Sequence, residues 1–257
     1  MRSNRTVFVL AALLIVAAAG NALGGMYFKQ VSHTDSVVVM GQKQPERFDT
    51  TEVWITEGKA YSQTNDGSGA LIDVDQGKMY VFDHKRKEYT IMPIDLTETV
   101  DEAAGGEGEE GAEEAAKMKE MMKAMIGAVT VSITPTTETK KIGSWGCLKY
   151  TGDMTMAMMK SKMEIWATED IKCDWNLYKR VTSGLMNQMP GFEQIIKEME
   201  KIKGLPVLTL STTEVMGTSV KSTTELLEYS EKSAPAGAFA VPAGYTKVVA
   251  TGGMGGQ

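Results

Sequence analysis

The stretch "CLKYTGDMTMAMMKSKMEIWATED", residues 147–170, decides the fold class because its side chains alternate. Successive residues of a β-strand point to opposite faces. One face of the first half carries Leu148, Tyr150, Gly152, Met154, Met156 and Met158, and the other carries Cys147, Lys149, Thr151, Asp153, Thr155 and Ala157. The first set is apolar and the second mostly polar, which is the pattern of a strand with one side to water and one side to a core or a ligand. "KMEIWATED" continues as a partner strand. A turn near Lys160-Ser161 would set Met158 opposite Met163, Met156 opposite Ile165 and Met154 opposite Ala167. A slip of one residue would instead bring Met156 against Glu164, so the hydrophobic pattern favours the first pairing.

The same grammar extends outward. "MYFKQVSHTDSVVVM" from Met26 is rich in β-branched and aromatic residues; "TTEVWITEGKAYSQTN" reads as two strands about Glu57-Gly58. "GALIDVDQGKMYVFDHKRKEYTIMP" reads as three strands, broken at Asp75-Gln76-Gly77 and at His84-Lys85-Arg86-Lys87. "AVTVSITPTTETKKIG", "LPVLTLSTTEVMG", "TSVKSTTELLEYSEK" and "FAVPAGYTKVV" add further β segments. Short strands joined by tight turns predict an antiparallel meander. Two helical segments interrupt it. From about Glu113 to Ile126, Met118, Met121, Met122 and Met125 share one helical face, and Gly127 is a suitable stop. A second region starts near Asp174, breaks at Pro190-Gly191, and resumes with Phe192, Ile195, Ile196, Met199 and Ile202 in one stripe before Gly204.

The flanks set expectations about compartment. Arg2 and Arg5 precede an apolar run from Val7 to Ala19 and then small residues, the pattern of a secretory signal peptide over residues 1–24. Thirteen apolar residues are too short for a comfortable membrane span. The expected location is therefore exported, periplasmic or extracellular. The acidic, glycine-rich "DEAAGGEGEEGA", about 101–112, reads as a disordered insertion, and 250–257 as a flexible tail around a single domain over 25–249. A formal charge of −6 provides no electrostatic footprint for nucleic acid. In an oxidising compartment the two cysteines, Cys147 and Cys173, predict one disulfide, although cysteine is also a common buried small hydrophobe.

Methionine is unbranched and polarisable, and a methionine-faced surface adapts to varied shapes. Met118, Met121, Met122 and Met125 on a helix, with Tyr150, Met154, Met156, Met158, Met163 and Ile165 on the sheet, therefore form a candidate wall for an apolar ligand. An ordinary core is the competing reading. Cu(I) ligation by thioethers is a third, but strand alternation explains Met154, Met156 and Met158 without a metal, and His33 and His84 lie in polar, exposed-looking settings. No metal site or cofactor is expected. No Gly-x-Ser-x-Gly elbow, P-loop, His-Glu-x-x-His or dinucleotide fingerprint is present, so a non-enzymatic role is expected.

"GKMYVFDHKRKEYTIMP", "IGSWGCLKYTGDM", "MEIWATEDI" and "FAVPAGYTKV" together resemble the LolA/LolB-like superfamily, closest to a branch of exported bacterial proteins of uncharacterised function. The resemblance implies an α+β fold: a half-open antiparallel β-barrel whose concave face is covered by helical lid segments, here residues 113–126 and 175–203. It implies an apolar ligand such as a lipid or a lipoprotein acyl chain; an envelope protein is a separate candidate partner. The acidic insertion departs from the carriers of that superfamily, and no cysteine follows the signal segment to take an acyl anchor.

Overall fold

In the computed structural model, residues 25–39, 42–94, 120, 129–156, 159–172, 193–215 and 217–248 are described. The strands are β1 (Met26–Thr34), β2 (Val37–Val39), β3 (Gln42–Gln44), β4 (Arg47–Thr56), β5 (Lys59–Thr64), β6 (Ser68–Asp73), β7 (Lys78–Asp83), β8 (Glu88–Pro93), β9 (Thr130–Ile142), β10 (Trp145–Met156), β11 (Met159–Thr168), β12 (Leu205–Val215), β13 (Thr218–Ser230) and β14 (Thr246–Lys247). One helix, α1 (Glu193–Met199), precedes β12. Twelve strands form one sheet in the order β14-β8-β7-β6-β5-β4-β1-β13-β12-β11-β10-β9, and β2 and β3 pair separately as a small hairpin. All pairs in the large sheet are antiparallel except the short β14–β8 contact. The architecture is thus a large antiparallel sheet. Its edges, β14 and β9, do not meet, so the sheet is open rather than closed into a barrel.

β1 sits at the centre because both of its faces are apolar near its start. Met26 and Phe28 face Ile55 and Val53 of β4, while Tyr27 faces Trp54 on the other side. All three β1 residues are about 1% exposed. Full burial of such a side chain contributes roughly 2–3 kcal/mol, a gain that offsets the closure of the long loop needed to pair β1 with β13.

Two cores result. One face gathers Met26, Phe28, Val53, Ile55, Ala60, Ile72 and Met79 with Leu205, Val207 and Leu226. Ile94, Val129 and Ile195 join this core from outside the sheet. The opposite face near β5–β8 is aromatic: Tyr27, Trp54, Tyr61, Leu71 and Phe82 pack beneath Ala238, Phe239, Val241 and Tyr245 of the C-terminal segment.

Several expectations need correction. The β10–β11 pairing runs Leu148↔Ala167, Tyr150↔Ile165, Gly152↔Met163, Met154↔Ser161 and Met156↔Met159, so the connection falls at 157–158, not near Lys160-Ser161. The polar Ser161 misled the turn assignment. It is 6% exposed and receives a hydrogen bond from Thr213 Oγ1 at 3.0 Å, so its hydroxyl is satisfied inside the strand. Both pairings place even-numbered residues of β10 against odd-numbered residues of β11, and the face assignments therefore survive the change.

The β-rich stretch from Met26 forms two strands broken at Asp35, and the described part of "FAVPAGYTKVV" is mostly irregular cover, with only Thr246–Lys247 extended. No helical lid is established. Residues 113–119, 121–126 and 175–192 lie outside the described residues, and the described helix of the second segment is seven residues long. The acidic stretch at 101–112 also lies outside them. Cys147 is a buried free thiol, with Sγ 3.6 Å from Trp145 O, and Cys173 lies outside the described residues. The structure therefore contains no support for the expected bridge.

Candidate functional site

Strand pairing assembles the methionine stretch into a patterned surface on the face that also holds Phe28. Four lateral rows cross the sheet there. The first runs Thr64–Thr51–Gln30–Leu226. The second runs Asp49–Ser32–Thr224–Thr209–Ile165–Tyr150. The third runs Arg47–Thr34–Ser222–Ser211–Met163–Gly152–Ile133, and the fourth Val220–Thr213–Ser161–Met154–Val131. The surface thus changes character across its width. β1, β13 and β12 contribute mostly hydroxyls, whereas β11, β10 and β9 contribute mostly methionine, isoleucine and valine, with Ser161 of β11 as a polar exception.

The hydroxyl half is internally bonded. Ser32 Oγ lies 3.0 Å from Thr224 Oγ1, and Ser211 Oγ lies 2.7 Å from Ser222 Oγ. With the Thr213–Ser161 bond these form a ladder from β1 to β11. Such cross-strand Ser/Thr pairs are a normal stabilising unit of a sheet. Thr209 and Gln30 are almost fully buried, and Gln30 Nε2 has no hydrogen-bond partner among the described residues.

On the apolar half, Met163 packs in a cluster with Ile133, Tyr150, Ile165, Ala167 and Ile202, while Met154 packs against the main core. Gly152 makes room between them: a Cβ there would lie 2.9 Å from Ile133 Cδ1 and 3.0 Å from Met163 Cε. Tyr150 is 1% exposed, and its hydroxyl oxygen accepts the Lys203 N–H at 3.0 Å. Tyr150 and Ile165 are therefore buried beneath the chain that follows α1. α1 itself is tied to the β9 edge, because Glu198 Oε2 accepts the Ile133 N–H at 2.7 Å. Lys201, followed by that N–H, holds the Glu198 carboxyl below the usual carboxylate range. The bond also occupies a donor on an otherwise open edge strand.

The structure thus brings together Tyr150, Met154, Met163 and Ile165 of the expected wall. Met156 pairs with Met159 in the strand register. Met118, Met121, Met122, Met125 and Met158 lie outside the described residues. The residues that sequence reading missed are Gln30, Ser32, Thr209, Ser211, Ser222 and Thr224. The i, i+2 polar alternation in "QVSHT", "TLSTT" and "KSTTE" marks them, but only strand pairing reveals that they adjoin one another and the methionines.

His84 differs from its exposed-looking sequence setting. It is partly buried, with Nδ1 2.7 Å from Tyr245 Oη and Nε2 3.3 Å from Tyr61 Oη. Burial lowers its pKa, opposed by the attraction of Asp83. This cluster lies on the opposite, aromatic face and clamps the C-terminal segment to the sheet. His33 stacks on Phe48 at 4.3 Å and bonds Glu46 at 2.7 Å.

A cleft of about 530 Å³ has Tyr150 in its lining, together with Lys140, Lys141, Glu169, Asp170 and Lys203. Its rim carries charges of both signs and does not suit an apolar molecule, so the graded face remains the candidate. Among the described residues, no helix is long and apolar enough to cross a membrane.

Residues 57–245, which include β5 to β13 and the C-terminal cover, match the family described as Domain of unknown function (DUF4412). The chain belongs to the DUF4412 family. No curated protein matches this DUF4412 chain. Among solved structures it is similar to PNGF-II in its C2 crystal form, at 12% identity and a TM-score of 0.36. That alignment covers 88% of this chain and 31% of PNGF-II, so the DUF4412 chain spans under a third of that protein's length. A likeness at that score carries no functional argument.

Proposed function

We propose that the DUF4412 chain is an exported binding protein that holds an amphipathic molecule, a lipid or an acyl chain, against the graded face of its sheet. The observation that carries this reading is the continuity of Met154 and Met163 with the hydroxyl ladder through direct strand pairs. A thioether wall accommodates variable hydrocarbon, and adjoining hydroxyls accommodate the oxygen-bearing end of the same molecule. In this reading Met118, Met121, Met122 and Met125 supply a facing apolar wall, an expectation from their helical spacing alone. The basic start and apolar run at the N-terminus support export. The resemblance to the LolA/LolB-like superfamily supports a lipid or lipoprotein acyl chain as the class of ligand, and a helix-covered half-open barrel as its setting. No catalytic step belongs to this proposal.

A second reading is a structural or protein-binding module of the envelope with no small ligand. The close packing of Met163 against Ile133 over Gly152 and the sealing of Tyr150 by Lys203 favour it. Native mass spectrometry of the full chain purified from its own envelope, followed by organic extraction, separates the two. A bound lipid of defined mass supports the binding protein. A bare chain that also takes up no added C12 amphiphile supports the structural module.

A further inference from the structure

We propose that Gln30 anchors an uncharged, oxygen-bearing head group on the hydroxyl half of the face; this deepens the amphiphile-binding reading and depends on it. Gln30 lies near the middle of the sheet, between β4 and β13, and is 4% exposed. Its amide Nε2 is buried without a hydrogen-bond partner among the described residues. Buried side-chain donors are nearly always paired, so an orphan of this kind requires an explanation. Of its neighbours in the row, Leu226 is apolar, and Thr51 Oγ1 faces Thr64 Oγ1 at 3.3 Å rather than the amide. An acceptor atom from a bound molecule would complete it.

The adjoining rows suit the same molecule. Each hydroxyl carries one hydrogen and two lone pairs. The Ser32–Thr224 and Ser211–Ser222 bonds each use one hydrogen and one lone pair, leaving each pair a further donor and acceptor capacity. Charge then narrows the class. The described charged residues in these rows are Arg47 and Asp49, which pair with each other, and Arg47 also reaches Asp66 at 3.3 Å. A carboxylate or phosphate placed by Gln30 would lose water without gaining a free cation, an unfavourable exchange. A carbonyl, ester or hydroxyl oxygen meets the amide at no such cost. The acyl chain of that molecule would run toward Met163 and Met154, across the third and fourth rows.

The test uses the full chain and three C12 probes with a common hydrocarbon: 1-dodecanoylglycerol, dodecanoate and dodecylphosphocholine. Native mass spectrometry of equimolar mixtures reads the preference for wild type and for Gln30→Leu. Leucine keeps the approximate volume and removes only the orphan polar group, so the variant folds and is at least as resistant to urea as wild type. Wild type should prefer the glycerol ester by about tenfold, the value of one well-made hydrogen bond, and Gln30→Leu should bind the three probes about equally. A Gln30→Leu protein that retains the ester preference overturns the assignment of Gln30. Equal binding of all probes to wild type also overturns it and leaves the amide as a water site. Failure of every probe to bind wild type overturns the amphiphile reading itself.

Discussion

Gly204→Ala isolates the contact that positions the chain over Tyr150. Gly204 has φ of +85°, and a Cβ there would lie 2.0 Å from Thr168 O and 2.4 Å from its carbonyl carbon. Both atoms are backbone, so no rotamer change relieves the clash. The left-handed conformation costs alanine about 1–2 kcal/mol, and forced overpacking adds about 1–3 kcal/mol. The expected loss is therefore about 2–5 kcal/mol, or a fall in Tm of roughly 5–15 °C for a domain of this size. Gly217→Ala is the control: its φ is +78°, but nothing lies within 4 Å of the added Cβ. It should lose only the conformational share, about 1–2 kcal/mol. Urea unfolding of both variants and wild type, at constant m-value, measures the difference. Equal destabilisation of the two variants would refute the claim that Gly204 is required by contact with Thr168.

Tyr150→Phe removes the acceptor for the Lys203 N–H and should cost about 1 kcal/mol in urea unfolding, with faster amide exchange at Lys203; unchanged exchange would contradict the bond. Burial raises the Cys147 pKa, so iodoacetamide at pH 8 should leave Cys147 unmodified in the folded chain and alkylate it after unfolding; peptide mapping that finds a Cys147–Cys173 bridge in exported protein would show the disulfide reading to be correct. The depressed pKa of His84 means the unfolded chain binds its proton first as pH falls. Its contribution to stability should be complete above the ordinary value near 6.5 and be lost as pH drops through the lower folded value; a His84→Gln variant with the same acid profile as wild type would count against this.

The meander was legible because its strands carry both alternation and turn chemistry. Thr56↔Lys59 closes about Glu57-Gly58, and Asp73↔Lys78 closes about Asp75-Gln76-Gly77, as those residues suggest. The register of β10 against β11 was not legible, although their pairing and faces were. A serine at 161 reads as a turn residue until Thr213 is known to lie beside it, 52 positions away. The apolar part of the candidate face was visible as a period-two run of methionines. Its polar half was hidden because Gln30, Thr224, Thr209 and Ile165 come from four segments that only the sheet order β1-β13-β12-β11 makes adjacent. The position of β1 was hidden for the same reason, since its partners lie at opposite ends of the chain.

Methionine-methyl NMR tests ligand binding on this face most directly. The full chain, labelled with 13C at the methionine methyls, is titrated with 1-dodecanoylglycerol, with single Met→Leu variants for assignment. The account predicts shifts at Met154, Met159 and Met163, which share the graded face, and none at Met26 or Met79, which are buried in the core near β1 and β5–β7. A spectrum in which Met154, Met159 and Met163 stay fixed through a saturating titration would contradict it.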